Sequence, residues 1–329
     1  MTKKLFILCL AVVWATTMMA QNIAVVSPEG ETSLYKTMND AIDGAEAGSV
    51  VYLPGGVFQI DKIHINKKIT IIGTGHKISS ENPDGITTIS GYLYFDAGSD
   101  GSAMIGCYLT YALSIANSDN EVNDILVRHC NLNEVNVNNN KCVGITINQN
   151  YIREGVKSGT APVTLTNNIT GYIHNVYDGE ISNNIITSTS YYTTGCWYSI
   201  ASCARTIITN NIILNSNATD SNSRTIQPEG NNLVSSNMTI TDWGDDCINV
   251  GNVDWHDVFV NYVGNTSSDF HFKEAYKQYE NQVGVYADGV DFDKQLAPVP
   301  YIVAKHIEEQ TDAQGKLSIK IRVKAGNAE

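Results

Sequence analysis

One phrase recurs along the middle of the chain: a short apolar strand, then Asn, then a further apolar residue. It reads HCNL at 129–132, QNYI at 149–152, NNII at 183–186, NNII at 210–213 and SNMTI at 236–240. With Asn184, Asn211, Asn237 and Asn261 as markers the steps are 27, 26 and 24 residues, inside the range of about 20–50 that marks stacked repeats. A unit this small cannot bury its own apolar face, so successive units must stack into a solenoid.

The composition of the repeat says what kind of solenoid. From about Ile86 to Tyr262 the chain reads as strand and turn throughout, rich in Asn and nearly free of Pro. A corner between two sheets needs a residue in the left-handed conformation, which Asn tolerates best after Gly. Stacked Asn side chains can also hydrogen-bond from one layer to the next, as identical amides do in other ladders. Proline would delete a ladder hydrogen bond and is excluded from interior strands. These features predict an all-β chain, a parallel β-helix. The Asn-x-Ser/Thr triplets at Asn168, Asn217, Asn237 and Asn265 are then by-products of the ladder, not glycosylation signals.

The termini read differently. Lys3 and Lys4, the apolar run Leu5–Val13 and the small Ala20 predict a signal peptide over 1–20, too short to span a bilayer. Cys9 in Phe-Ile-Leu-Cys leaves a lipid-anchor alternative open. In SLYKTMNDAIDGAEA (33–47), Leu34, Met38, Ala41 and Ile42 share a helical face. A helix near 34–46 would plug the open end of the solenoid. SVVYLPGGVFQI (49–60), KIHI (62–65) and KITIIG (68–73) follow as strands. This entry resembles the start of proteins with the pectin-lyase fold, and the resemblance implies a right-handed, single-stranded parallel β-helix over 21–268. A non-repetitive tail over 269–329 resembles the C-terminal ends of secreted β-helix proteins of gut Bacteroidetes. Its strands at 302–307 and 316–324 predict a hairpin over 302–324.

Charge and cysteines narrow the partners. Loss of Lys3 and Lys4 takes the net charge from -13 to about -15. That argues against nucleic acid and anionic membrane surfaces, which need a basic footprint. Six cysteines remain after 1–20, namely Cys107, Cys130, Cys142, Cys196, Cys203 and Cys247. Their spacing matches neither a compact disulfide framework nor a zinc site. Cys130 follows Cys107 by 23 residues, about one turn, which predicts stacked inward thiols. Cys196 with Cys203 is the pair best placed for a bridge, if one forms.

Three groups of residues could carry chemistry. WGDDCINVGN at 243–252 resembles the Gly-Asp-Asp-Cys motif of polygalacturonases, which implies Asp245 and Asp246 as the acid and base of a glycoside hydrolase. The rest of that pattern is missing: SRTIQP stands at 223–228 and VGNTSS at 263–268. A lyase would instead use a basic residue beside carboxylate-bound calcium. Arg224 lies 13 residues before Asn237, Asp246 lies 15 before Asn261, and Trp197 and Tyr198 lie 14 and 13 before Asn211. That counting predicts a column of aromatic, Arg and acid. Finally, Tyr191, Tyr192, Trp197 and Tyr198, with Trp243, predict an aromatic surface that stacks on sugar rings. His256 follows the acid pair. The expectation is an exported protein, secreted, periplasmic or on the cell surface, that binds a polysaccharide or surface glycan without clear catalytic machinery. No cofactor is evident, calcium being what the lyase would need. The alternatives are a polysaccharide lyase or hydrolase acting on an acidic polysaccharide, and a structural rod.

Overall fold

The computed structural model describes residues 22–75, 85–187, 190–193, 196–214, 223–226, 231–239, 245–251, 253–263, 268–293, 301–307 and 319–324, with backbone alone for 190–193, 196–197, 223–226, 301–307 and 319–324. The signal peptide expected over 1–20 lies outside the described residues.

Short β-branched stretches form two long sheets, one of eleven strands and one of thirteen, which the chain visits alternately. From Ser49–Tyr52 to Leu233–Ser235 neighbouring strands of the eleven-stranded sheet are parallel. Equivalent residues stack in columns. Ile71, Met104, Val127 and Ile147 are successive register partners in one sheet. Ile89, Leu109, Leu132 and Ile152 are successive partners in the other. All eight are fully buried in a single core cluster. Because side chains alternate faces along a strand, a slip of one residue would turn a whole column out of this core.

The corner between the sheets explains the recurring phrase. Its first residue is left-handed: Gly106, His129, Gln149, Asn167, Asn183, Asn210, Ser236 and Asp246 have φ between 50° and 67°. The next residue points inward and forms a ladder. The Oδ1 of Asn168 accepts from the backbone N and Nδ2 of Asn150, and Asn184, Asn211 and Asn237 repeat the pattern. Asn150, Asn168, Asn184, Asn211 and Asn237 are fully buried, so the triplets at Asn168 and Asn237 are closed to glycosylation in the fold. Cys130 occupies the slot above, its N–H donating to Asn150 Oδ1 at 2.8 Å, and Cys107 stacks one layer further. Burial pushes the Cys130 thiol up to about 12 and raises that of Cys107. The described cysteines 107, 130, 142, 203 and 247 form no disulfide; Cys203 bonds to Ala201 O rather than bridging to Cys196.

Two expectations need correcting. The helix runs Met38–Gly44, capped by Thr37, with Met38, Ala41 and Ile42 buried. Leu34 instead lies in the strand Thr32–Tyr35, antiparallel to Ile23–Val26, and is 63% exposed. Asn261 is not in the ladder: Phe259–Asn261 pairs antiparallel with Asp269–Phe272. After Asn237 the ladder slot passes to Cys247, only ten residues on, because Met238 pairs with Ile248.

The thirteen-stranded sheet bends along a line of stacked bulges, where the register shifts between Gln59 and Lys62, Leu132 and Glu134, and Ile152 and Gly155. A bulge bends its strand and re-aims the side chains beside it. Gly91 sits in this line at φ 151°, and a Cβ there would lie 2.2 Å from Ile60 O. The bend divides the outer surface into two facets. On the first, Tyr151, Ile169, Ile185, Ile212 and Met238 pack beneath Trp255, Phe259, Phe270, Val285 and Phe292 of the C-terminal segment. This cover is why NNII carries two apolar residues in succession: one faces the core and one faces the segment. Gly284 N donates to Asn210 O and Asn167 Nδ2 to Val285 O, which ties the segment to the corner. Tyr301–Ile307 and Ile319–Lys324 form an antiparallel pair.

Candidate functional site

Among the described residues, no segment packs over most of the second facet, where Lys62, His64, Tyr92, Tyr111 and Lys157 are exposed. Its rows run through register partners: Lys62 and His64 lie beside Tyr92 and Tyr94, then Ala112 and Ser114, then Glu134 and Asn136, then Gly155 and Lys157, then Tyr172 and His174. From His64 to Lys157 five strands are crossed, four steps of about 4.8 Å or roughly 19 Å. Leu93, Leu113, Val135 and Val156 are buried on the opposite face, so strict alternation turns this row outward.

The strip has an aromatic end and a hydrogen-bonding end. His64 stacks on Tyr94 with centroids 4.5 Å apart, and Tyr92 lies 6.5 Å from Tyr94 and 4.9 Å from Tyr111. Tyr92 and Tyr111 are 37% and 48% exposed. His64 Nδ1 meets Asp96 Oδ2 at 2.6 Å. At the other end Glu134 accepts from Lys157 Nζ at 2.6 Å, Asn136 Nδ2 at 3.0 Å and the Tyr172 hydroxyl at 3.0 Å. The Tyr172 ring lies over Gly155, where a Cβ would stand 2.6 Å from its edge. Arg153 donates to the Tyr108 hydroxyl at 3.4 Å.

Electrostatics give these groups fixed charges. Burial works to raise the Glu134 carboxyl, but the hydrogen bonds from Lys157, Asn136 and Tyr172 outweigh it and hold it below the ordinary range. Burial works to lower Lys157, and its bonds to Glu134 and Tyr172 carry it upward instead. Burial pushes the Tyr172 phenol up. His174 is driven down to about 4 by burial, against a contact of its Nε2 with Tyr198 O at 3.5 Å. At neutral pH the cluster is therefore a carboxylate, an ammonium, a phenol and a neutral imidazole. A general acid needs a carboxyl raised toward the working pH. Glu134 is shifted the other way, into a permanent hydrogen-bond acceptor.

The residues singled out from sequence lie elsewhere. Asp245 bridges to Ser235 and continues the eleven-stranded sheet, and Asp246 is the left-handed corner residue of its layer; both are exposed. Asp246-Cys247 is thus the same corner as Gly106-Cys107 and His129-Cys130. Arg224 is the backbone register partner of Tyr198, its side chain lying outside the described set. Asp246 does not extend the counted column, since the count was taken from Asn261. Tyr198 is buried at 6% exposure. Tyr191 pairs with Trp197 in a hairpin that includes Tyr192, their side chains being outside the described set, as is Trp243. His256 is held by Asp254, which caps the helix Trp255–Val258.

The corner position makes a prediction. Asp246→Asn, a residue suited to positive φ, is expected to leave thermal stability within about 0.5 kcal/mol of the parent. Asp246→Val is expected to lose roughly 1–3 kcal/mol, since a β-branched residue is strained there. Calorimetry on the pair checks this; equal stabilities would remove the corner role.

Sequence reasoning missed the second facet, although Tyr92-Leu93-Tyr94-Phe95 carries its alternation openly. Tyr111 and Glu134 fall next to bulges, where alternation breaks and no periodic signal remains. Among the described residues no helix is long and apolar enough to cross a membrane, and no three His, Cys, Asp or Glu gather where they could hold a metal ion. No family model, curated protein or solved structure matches the chain.

Proposed function

We propose that this is an exported, right-handed parallel β-helix of the pectin-lyase type that binds glycan along the second facet without catalysing its cleavage. Alternation of the chain between two parallel sheets, with the same left-handed corner in successive layers, supports the architecture. The observation that carries the function is the strip from Tyr92, Tyr94 and Tyr111 to Glu134, Asn136 and Lys157. Exposed rings stack on the apolar faces of sugars, and a neighbouring row of fixed donors and acceptors orients hydroxyls. The strip crosses successive strands at the surface, which suits a polymer better than a small enclosed ligand.

The test is affinity electrophoresis of the mature protein through gels containing single polysaccharides, repeated with Tyr92→Ala/Tyr111→Ala. Loss of both rings is expected to weaken the retarding glycan at least tenfold, about 1.4 kcal/mol. Unchanged retardation would remove the strip as the site. The enzyme alternative, a hydrolase or calcium-dependent lyase using Asp245, Asp246 and Arg224, is checked on the same polysaccharides. Reducing ends or unsaturated products, lost on Asp245→Asn or Asp246→Asn, would replace the binding reading.

A further inference from the structure

Resting on the glycan-binding reading, we infer that the strip selects neutral glycans over acidic ones, and that Glu134 is the residue that sets this choice. A polyanion needs cations that are not already matched. The strip and its margins carry the cations Lys62, Arg153 and Lys157. Against them stand four carboxylates, Asp61, Asp96, Glu134 and Glu154. The local balance is therefore slightly negative, on a chain whose net charge is -13. A uronate or sulfate approaching it meets repulsion from the whole surface as well as from the strip.

Glu134 stands where this matters most. It lies at the hydrogen-bonding end of the rows, its side chain 21% exposed, and it takes the Lys157 ammonium at 2.6 Å. That contact neutralises the cation an acidic sugar would otherwise use. Asn136 and the Tyr172 hydroxyl hold the same carboxylate in place, so Lys157 is not released by a simple rotation. Its open side can accept from sugar hydroxyls, while Asn136 and Ser114 add uncharged polar groups in the same row. The rings at the other end stack on C–H faces, which neutral and acidic sugars share. Discrimination is thus assigned to the charges of the strip, with the Glu134–Lys157 pair at their centre.

The experiment titrates wild type, Glu134→Gln and Ser114→Lys with a neutral β-glucan, a xylan and a mannan, and with polygalacturonate and alginate of matched length. Each is run at low and physiological salt, with calcium and with chelator. Wild type is expected to bind at least one neutral polymer and to bind the acidic ones at least tenfold more weakly. Glu134→Gln frees Lys157, and Ser114→Lys adds a cation beside Asn136 while leaving Glu134 in place. Each is expected to raise acidic affinity at least tenfold, more at low salt. Should Glu134→Gln fail to fold, Ser114→Lys carries the test. Equal or tighter binding of acidic polymers by wild type overturns the selectivity and leaves glycan binding standing. Selectivity unmoved in the folded variants also overturns it. Silence toward every polymer overturns the glycan reading itself.

Discussion

Asn184→Ala is expected to cost the fold roughly 3–5 kcal/mol, out of the 5–15 kcal/mol typical of a whole domain. The fully buried amide donates to Leu165 O, Ser182 O and Asn211 Oδ1, and accepts from the backbone N and Nδ2 of Asn168. Alanine deletes all five contacts. It leaves the buried Asn168 N–H without the Oδ1 it bonds at 2.9 Å, and water cannot replace it inside the corner. A buried orphan costs about 1–3 kcal/mol, and each lost neutral hydrogen bond about 1 kcal/mol. Asn184→Asp keeps the volume and the acceptor but turns a second oxygen, as an anion, toward the Leu165 and Ser182 carbonyls. It is expected to be at least as damaging, which separates hydrogen bonding from packing. Asn140→Ala, at an exposed position, should stay within about 0.5 kcal/mol. Urea denaturation of the three variants decides. An Asn184→Ala midpoint matching that of Asn140→Ala would mean that the ladder contributes nothing.

The ladder was legible in the sequence because one physical demand repeats at each layer. A left-handed residue followed by an inward polar group leaves the trace Asn-Asn, Gln-Asn or Ser-Asn before an apolar residue. The same regularity misled at the edges. Asn261 has the right spacing from Asn237 and the wrong surroundings, because the layer after Asn237 is shortened and its slot falls to Cys247. Leu34 has helical spacing from Met38, yet pairing with Ile23–Val26 claims it for a strand. Spacing carries no information about which edge is open to pair.

The candidate site was less legible for a different reason. Asp245-Asp246 attracts attention as a pair of adjacent acids, yet a corner that accepts Gly, His, Gln, Asn or Ser accepts Asp on the same conformational grounds. Tyr92 and Tyr94 could be read as outward from their alternation with Leu93 and Phe95. Glu134, Lys157 and Tyr172 are separated by 23 and 15 residues in sequence and meet only because bulges stack in register across their strands. A bulge leaves one extra residue in a strand, and from sequence alone that residue is indistinguishable from a turn.

His174 supplies the second large effect, an acid sensitivity beginning well above the range where carboxylates titrate. The ring is 4% exposed, lies 4.7 Å from the Tyr172 ring and presents Nε2 to Tyr198 O, with the Lys157 charge one strand away. Burial is the main force that lowers it from 6.5 to about 4; Tyr198 O works against this, and Lys157 adds to it. Between those values the unfolded chain holds a proton at this site that the fold refuses, so stability rises with pH and falls on acidification. The contribution is complete above about pH 6.5 and lost as pH drops through about 4, amounting to about 3 kcal/mol in all. Roughly half of that, about 1.5 kcal/mol, falls between pH 6.5 and 5. Glu134 has the same sign, being depressed in the fold, but its contribution fades only below its ordinary 4.5. The interval above pH 5 therefore isolates the histidine. His174→Gln keeps a donor toward Tyr198 O and cannot titrate. The difference in unfolding free energy between wild type and His174→Gln, followed from pH 7 to 5, is expected to shift by about 1.5 kcal/mol in favour of the variant as pH falls. A difference that stays flat across that interval would show that the buried imidazole takes up its proton without opposing the fold.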